Sequence, residues 1–445
     1  MKPVPKSIIS DFRHGILLTL LALFIVIFFW SSLERFEYGL YDLGSRLRVK
    51  PTNAPVCIVT IDDRSIDALG PWPWPRSYIG FMIDLLESYE AKVIGLNIIY
   101  SDKDLNRGLK EIINIINTIE NNPQYSEKNI GMIVLLAALK DAEKRLDNDA
   151  ILADSIASSK KVVLPLLFHL GNSKNNAEIN YPDYLLANSL FPFPHNNSII
   201  AGKISVPIDI FAQEAQRLGH VNILADNDGI VRRETLFLTY QERIHASFAL
   251  QLSLSYLNLD LGDLVFGKNV AFGQKSIPLI KQNKMLISFK SDFPRYSFVD
   301  VINKKIAANA FQNKIVIIAP TAAGVGEYVD TPVASALPSV NIITNIIDNI
   351  LNNDYITRPE WAFALELMVI FFFGLYIALV VPRLKAVVSG FISCFLILIW
   401  LIGGLYLMVA YGYWIRAVYP ALVLFIGYIV IMSKRYKITP KVDAG

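Results

Sequence analysis

The chain has 445 residues, 53% of them hydrophobic, with a mean hydropathy of +0.39 and a formal charge of +3. It is too long for one small domain and too apolar for an ordinary soluble protein. With no basic aromatic patch, it does not read as a nucleic-acid binder. Its two cysteines, Cys57 and Cys394, fall in a predicted strand and a predicted membrane helix, so no disulfide is expected.

Residues 15–33 (GILLTLLALFIVIFFWSSL) carry no charge and are long enough to cross a bilayer core of roughly 30 Å. The run outlasts a signal peptide's apolar region and ends in Phe28, Phe29 and Trp30, so it reads as a retained anchor. Asp42 and Arg46 then share one face of a juxtamembrane helix, with Arg48 close behind.

VCIVTI (residues 56–61) is a buried strand by its β-branched run, followed by Asp62, Asp63 and Arg64. LGPWPWPR (69–76) is extended, because its prolines fix φ and withhold donors. Trp72 and Trp74 point the same way there, with Arg76 stacked on one of them. The stretch is either a buttress or an exposed binding platform, and the usual burial of Trp favours the buttress. A helix at 77–89 and a strand at 92–99 complete a β–α–β unit. Helices follow at 105–119 and 140–158, with GMIVLLAAL (131–139) open between strand and helix, then a strand at 161–168. Residues 171–207 read as a long excursion. Strand-like runs at 220–224 and 230–240 flank ADNDG, so Asp228 and Gly229 predict a hairpin, with Arg232 just beyond. A calcium loop is the weaker reading, since Leu224 and Thr235 fall at its ligand positions.

A helix at 247–257, a strand at 286–289, a helix at 299–310 and a strand at 314–320 come next. The loop after that strand holds Thr321, Gly324, Gly326 and Asp330, and lacks the lysine and spacing of a phosphate-binding loop. A helix at 340–351 leads into three apolar runs at 361–381, 386–410 and 414–432. The expected fold is α/β: a mostly parallel, helix-covered sheet with an added hairpin, plus four transmembrane helices. Glu366 is the one acid inside a membrane run, near its outer end, where it can reach headgroups or water.

Lys2, Lys6 and Arg13, then Arg383 and Lys385, then Lys434, Arg435, Lys437 and Lys441 fall on one side if each run spans once. By the positive-inside rule that side is the cytoplasm. The expected layout is a cytoplasmic N-terminus (1–14), an anchor (15–33), an outer domain (34–360), a three-helix bundle (361–432) and a basic cytoplasmic tail (433–445).

Carboxyl ends of parallel strands are where open α/β sheets bind ligands, so Asp62, Asp63, Arg64, Thr321, Gly324, Gly326 and Asp330 form a candidate polar site. The competing reading is helix capping and loop ion pairs. No histidine sits at metal-ligand spacing and no GxSxG is present, so neither a metal, a cofactor nor a catalytic centre is expected.

YDLGSRLR (41–48), VCIVTIDDRSIDALGPWPWPR, KVIGLNIIYSD, GHVNILADNDGIVRR, KIVIIAPTAAGVGEYVDTP and the closing membrane helices, in that order, resemble the type-two CHASE domain. The resemblance spans roughly 34–432 and implies a bacterial periplasmic or extracellular sensory module, dimeric, feeding a cytoplasmic output domain. It departs at Asn97, where an acid is usual, at Ala319 and Ser339, where glycine is usual, and near Asn341 and Ile343, where acidic and histidine positions fall. The thirteen residues after the last run cannot fold as an output domain. The leading expectation is an inner-membrane sensor of an unknown periplasmic ligand, with no catalysis in this chain, in contact with lipid and a protein partner or a second copy. The alternative is a membrane-anchored scaffold of an envelope assembly.

Overall fold

The computed structural model describes residues 16–17, 19–21, 24, 34–104, 106–121, 130–171, 181–192 and 197–438. The chain forms two compact units, Pro51–Tyr355 and Met1–Lys50 with Ile356–Gly445.

The first of these is built on a sheet whose heart is parallel. β1 (Val56–Ile61), β2 (Val93–Leu96) and β3 (Val162–Leu170) come from the predicted apolar runs. β1 and β2 are buried at every position, as strands covered on both faces require. Further along the chain lie β4 (Ile199–Ser205), β5 (Arg217–His220), β6 (Phe237–Tyr240), β7 (Arg243–Ala246), β8 (Arg295–Ser297) and β9 (Ile315–Pro320). The parallel order is β8-β1-β9-β2-β3. Beyond it, β3 divides its partners: Val163–Leu166 pair in parallel with β5, and Leu167–Leu170 pair antiparallel with β4. β4 carries β6 in parallel, and β6 and β7 form an antiparallel hairpin.

Crossover helices cover both faces. α1 (Asp63–Leu69) and α2 (Arg76–Ser88) link β1 to β2, and α3 (Asn148–Ser159) precedes β3 and packs on α2. α4 (Phe248–Leu257) packs against β2, β3 and β5, and against α6 (Val340–Asn352); α5 (Phe298–Ile302) links β8 to β9. α4 sits close because Gly219 has no side chain: a Cβ there would lie 2.7 Å from the Phe248 Cα. The main core joins Val59, Ile83, Leu96, Leu152, Leu164 and Val316.

α6 is buried from Val340 to Ile350, although it carries Asn341, Thr344, Asn345, Asp348 and Asn349. Buried amides need partners, and the extended segment 288–290 supplies them to Asn345 and Asn349. Asn349 accepts from the Ser288 N–H at 2.8 Å and donates to its carbonyl at 2.7 Å, and Asn345 accepts from the Lys290 N–H at 2.6 Å.

Several expectations change. The hairpin of the sheet is β6–β7, not the ADNDG segment. Residues 221–232 form no strand, and strand Arg233–Thr235 pairs with Lys284–Leu286 instead. The cause is Arg232, 2% exposed, which takes both carboxylate oxygens of Asp228 at 2.9 and 2.8 Å and Asp226 at 3.3 Å, folding the segment on itself. A tight turn survives, with Gly229 at φ 84° and its N–H donating to the Asp226 carbonyl. GMIVLLAAL lies within a helix, Ile130–Leu146. The helix predicted at 299–310 stops at Ile302.

The second unit contains, among the described residues, two helical stretches long and apolar enough to cross a membrane, not four: Glu360–Arg383 and Ala386–Tyr411, each with a mean hydropathy of 2.5. The anchor at 15–33, with the basic N-terminus and tail, lies largely outside the described residues. The last run starts as a helix only at Val418, and its apolar stretch Val418–Lys434 is shorter than a full span. Residues 414–417 are drawn out of helix by their hydrogen bonds. The Arg416 N–H donates to Glu366 at 2.8 Å, the Trp414 N–H to the Thr357 carbonyl, and Trp400 Nε1 to the Ala417 carbonyl.

Helix ends leave backbone groups without partners, and charges from neighbouring segments serve them here. Glu37, on the helix Glu34–Arg48, accepts from the Val418 and Tyr419 N–H groups at 2.9 and 3.1 Å. Arg48 donates to the Val409 carbonyl at 2.8 Å, at the far end of Ala386–Tyr411. Both placements suit the helix dipole. Glu366 is 3% exposed and paired with Arg358 at 2.8 Å, so it is enclosed by protein rather than open to headgroups.

Candidate functional site

β1 ends at Ile61, and the polar residues after it are largely committed. Asp62 caps α1: one carboxylate oxygen accepts from the Ser65 N–H (2.9 Å), the Ser65 hydroxyl (2.6 Å) and the Ser297 hydroxyl (2.8 Å). Asp63 accepts from the Ala323 N–H at 3.2 Å, and Arg64 pairs with Asp300 at 3.0 Å. Thr321 accepts at its carbonyl from the Tyr328 hydroxyl. Gly324 takes φ +78°, and a Cβ on Gly326 would lie 3.0 Å from the Pro320 carbonyl oxygen. Asp330 accepts from the Ala336 N–H, and its carbonyl from the Val231 N–H. The strand ends thus bring Asp62, Asp63, Thr321 and the glycine loop together, and their hydrogen bonds go to capping and loop closure.

The opening lies one connection away. After α1 the chain turns at Gly70 and runs through the proline–tryptophan stretch. Trp74 is 5% exposed, donates its indole N–H to the Gly70 carbonyl at 2.7 Å and packs on Phe298. Trp72 is half-buried and meets Trp74 edge-to-face at 5.3 Å. The two rings therefore differ in burial and packing, although both line one cavity. Trp74 is the buttress; Trp72 borders a cavity.

That cavity holds about 570 Å³, within the usual range for small-molecule sites. Trp72 and Pro73 form one wall, Ile98 to Tyr100 after β2 another, and Lys103, Asp104 and Asn148 its polar edge. Arg76, 8% exposed, underlies it. Arg76 pairs with Asp149, donates to the Asp102 carbonyl, and lies 4.6 Å from the Tyr100 ring centroid. It stacks on Tyr100, not on a tryptophan. The other Asp149 oxygen accepts from the Asp104 N–H at 2.9 Å, and Asp104 accepts from the Asn148 amide at 2.8 Å. One chain of charge-assisted bonds thus holds the loop after β2 against the start of α3.

A family model of the CHASE2 domain matches residues 19–379. The chain belongs to that family. CHASE2 domains are sensory. No curated protein and no solved structure matches the chain.

In this CHASE2 domain the Asp228–Gly229–Arg232 element is separate from the cavity lining. Burial pushes the Asp226 carboxyl up, while the hydrogen bond from Arg232 holds Asp228 down. A second buried group spans the neighbouring strands. Burial pushes His220 and His245 down to about 3, and pushes the Glu234 carboxyl up to about 8. No cluster of three or more His, Cys, Asp or Glu is placed to hold a metal among the described residues. Asn341 and Ile343 are buried in α6 and do not line the cavity.

Tyr100, Lys103, Asp104, Asn148 and Asp149 were not singled out by the sequence. Tyr100 stands inside KVIGLNIIYSD, which carried the family resemblance, but nothing local marks Arg76, 73 residues earlier, as the partner of Asp149.

Proposed function

We propose that this chain is a bacterial inner-membrane sensor that binds a small molecule outside the cytoplasm and passes its state to a protein partner, without chemistry of its own. The observation that carries the reading is the cavity of the CHASE2 domain. It opens at the carboxyl ends of the parallel strands, where open α/β sheets take ligands. Its described lining has aromatic, aliphatic and polar side chains but no serine, cysteine or histidine to act as nucleophile or shuttle. Aromatic walls with a few polar groups at the edge support a binder. Arg383 and Lys385, after the first described apolar stretch, support an inward-facing loop, and so an outward-facing sensory domain.

A sensor needs two states that bind the ligand unequally. Occupancy can be imitated by filling the cavity with Ile98→Trp. Hydrogen exchange of the full-length protein in lipid nanodiscs should then change in the cavity walls and also in α6, the last element before the membrane unit. A change confined to residues beside position 98 would remove the signalling half of the proposal.

A further inference from the structure

We infer that the cavity recognises a neutral saccharide. The inference rests on reading this cavity as the ligand site. Its argument is an accounting of which groups are spent. Arg76 and Asp149 neutralise each other, Trp74 is bonded to Gly70, and the Asn106 side chain caps the helix Arg107–Glu120 while donating to the Leu146 carbonyl. Among the described residues, the Trp72 indole N–H and the Lys103 ammonium have no hydrogen-bond partner, and Asp104 Oδ1 accepts nothing. The Tyr100 hydroxyl is buried without a partner as well.

The open set is therefore one cation, one carboxylate oxygen and an indole, beside the apolar surface of Ile98 and Ile99. One positive and one negative group leave no net charge to be met, which disfavours an anion or a cation. Lys103 can only donate and Asp104 can only accept. Adjacent hydroxyls satisfy both, because each hydroxyl accepts and donates. The C–H face of a sugar ring is flat and apolar, which suits a half-buried indole. A zwitterionic amino acid also matches the two charges, and an aromatic one offers a flat face to Trp72, so it is the rival in the test.

Full-length protein in nanodiscs is titrated with D-glucose, N-acetyl-D-glucosamine, maltose and diacetylchitobiose. L-leucine and L-phenylalanine are run in parallel, and tryptophan emission and calorimetric heat are followed. Saturation is expected with at least one saccharide at millimolar or lower concentration. Trp72→Ala should weaken it at least tenfold. Lys103→Met, at an exposed position, should weaken it severalfold with an unchanged melting curve, which keeps the test sound if the tryptophan variant misfolds. Saturation by amino acids alone, weakened by these variants, overturns the saccharide assignment and leaves the cavity standing. Saccharide binding that neither variant weakens overturns the cavity as its site. No saturation by any saccharide up to about 10 mM, an affinity of about 3 kcal/mol, also overturns the assignment.

Discussion

Arg76→Met tests the polar chain beneath the cavity. The substitution keeps most of the side-chain volume and leaves Asp149, 9% exposed, with only the Asp104 N–H as a bonding partner. Stranding one member of a buried ion pair costs about 3–5 kcal/mol. Asp149 lies in the first turn of α3, where the helix dipole offsets about 0.3–1 kcal/mol of that. The net is about 2–5 kcal/mol, or about 30- to 3,000-fold in the opening equilibrium. Amide exchange in α2 and α3 of the full-length protein should accelerate by that factor. The double variant Arg76→Met with Asp149→Leu removes both charges and should return most of the protection. A single variant within threefold of the parent, or a double variant exchanging as fast as the single, would refute the reasoning.

Denaturation of the Pro51–Tyr355 unit should be most difficult near pH 6.5. His220 and His245 are held neutral, so their contribution is whole above about 6.5 and is lost as pH falls toward 3, at about 1.4 kcal/mol per pH unit each. Glu234 is held protonated, so its contribution is lost as pH rises from 4.5 through about 8. Glu234→Gln should flatten the alkaline limb, and an unchanged limb would contradict its burial as a neutral acid. Gly219→Ala should destabilise by about 1–3 kcal/mol, since its Cβ would press on the Phe248 backbone, whereas Gly229→Ala meets open space and bears only the strain of its positive φ. In a background with Cys57→Ala and Cys394→Ser, an impermeant maleimide should label Asp67→Cys in intact cells and Lys385→Cys only after permeabilisation. The reverse pattern would invert the proposed topology.

What could be read from the chain was whatever depends on near neighbours. β1, β2, β3 and β9 stood out because strands covered on both faces must be apolar throughout, and the runs say so. The ADNDG turn was legible, but its strands were not, because the buried Arg232 overrides the alternation that suggests a hairpin. The last membrane run was drawn too long because Trp414–Ala417 is apolar enough to be helical, and only Glu366, fifty residues earlier, claims the Arg416 N–H. The cavity escaped for the same reason. Its lining joins Trp72, Lys103 and Asn148, and no spacing rule relates them. The tryptophans drew notice as a pair, yet packing against Phe298 decides which one is a support and which one is a surface.

The pairing of Asn345 and Asn349 with residues 288–290 has a kinetic consequence. A helix held by aliphatic side chains alone can slide by small amounts, because each increment trades similar contacts. α6 cannot. Its amides meet backbone groups at fixed positions, and any rotation or shift loses two buried hydrogen bonds and a half-buried one together, each buried one costing about 1–3 kcal/mol when left unmade. Displacement of α6 therefore proceeds in discrete jumps with a pronounced barrier, like a catch moving between notches. Thermal jostling below that barrier is filtered out before it reaches the end of the helix.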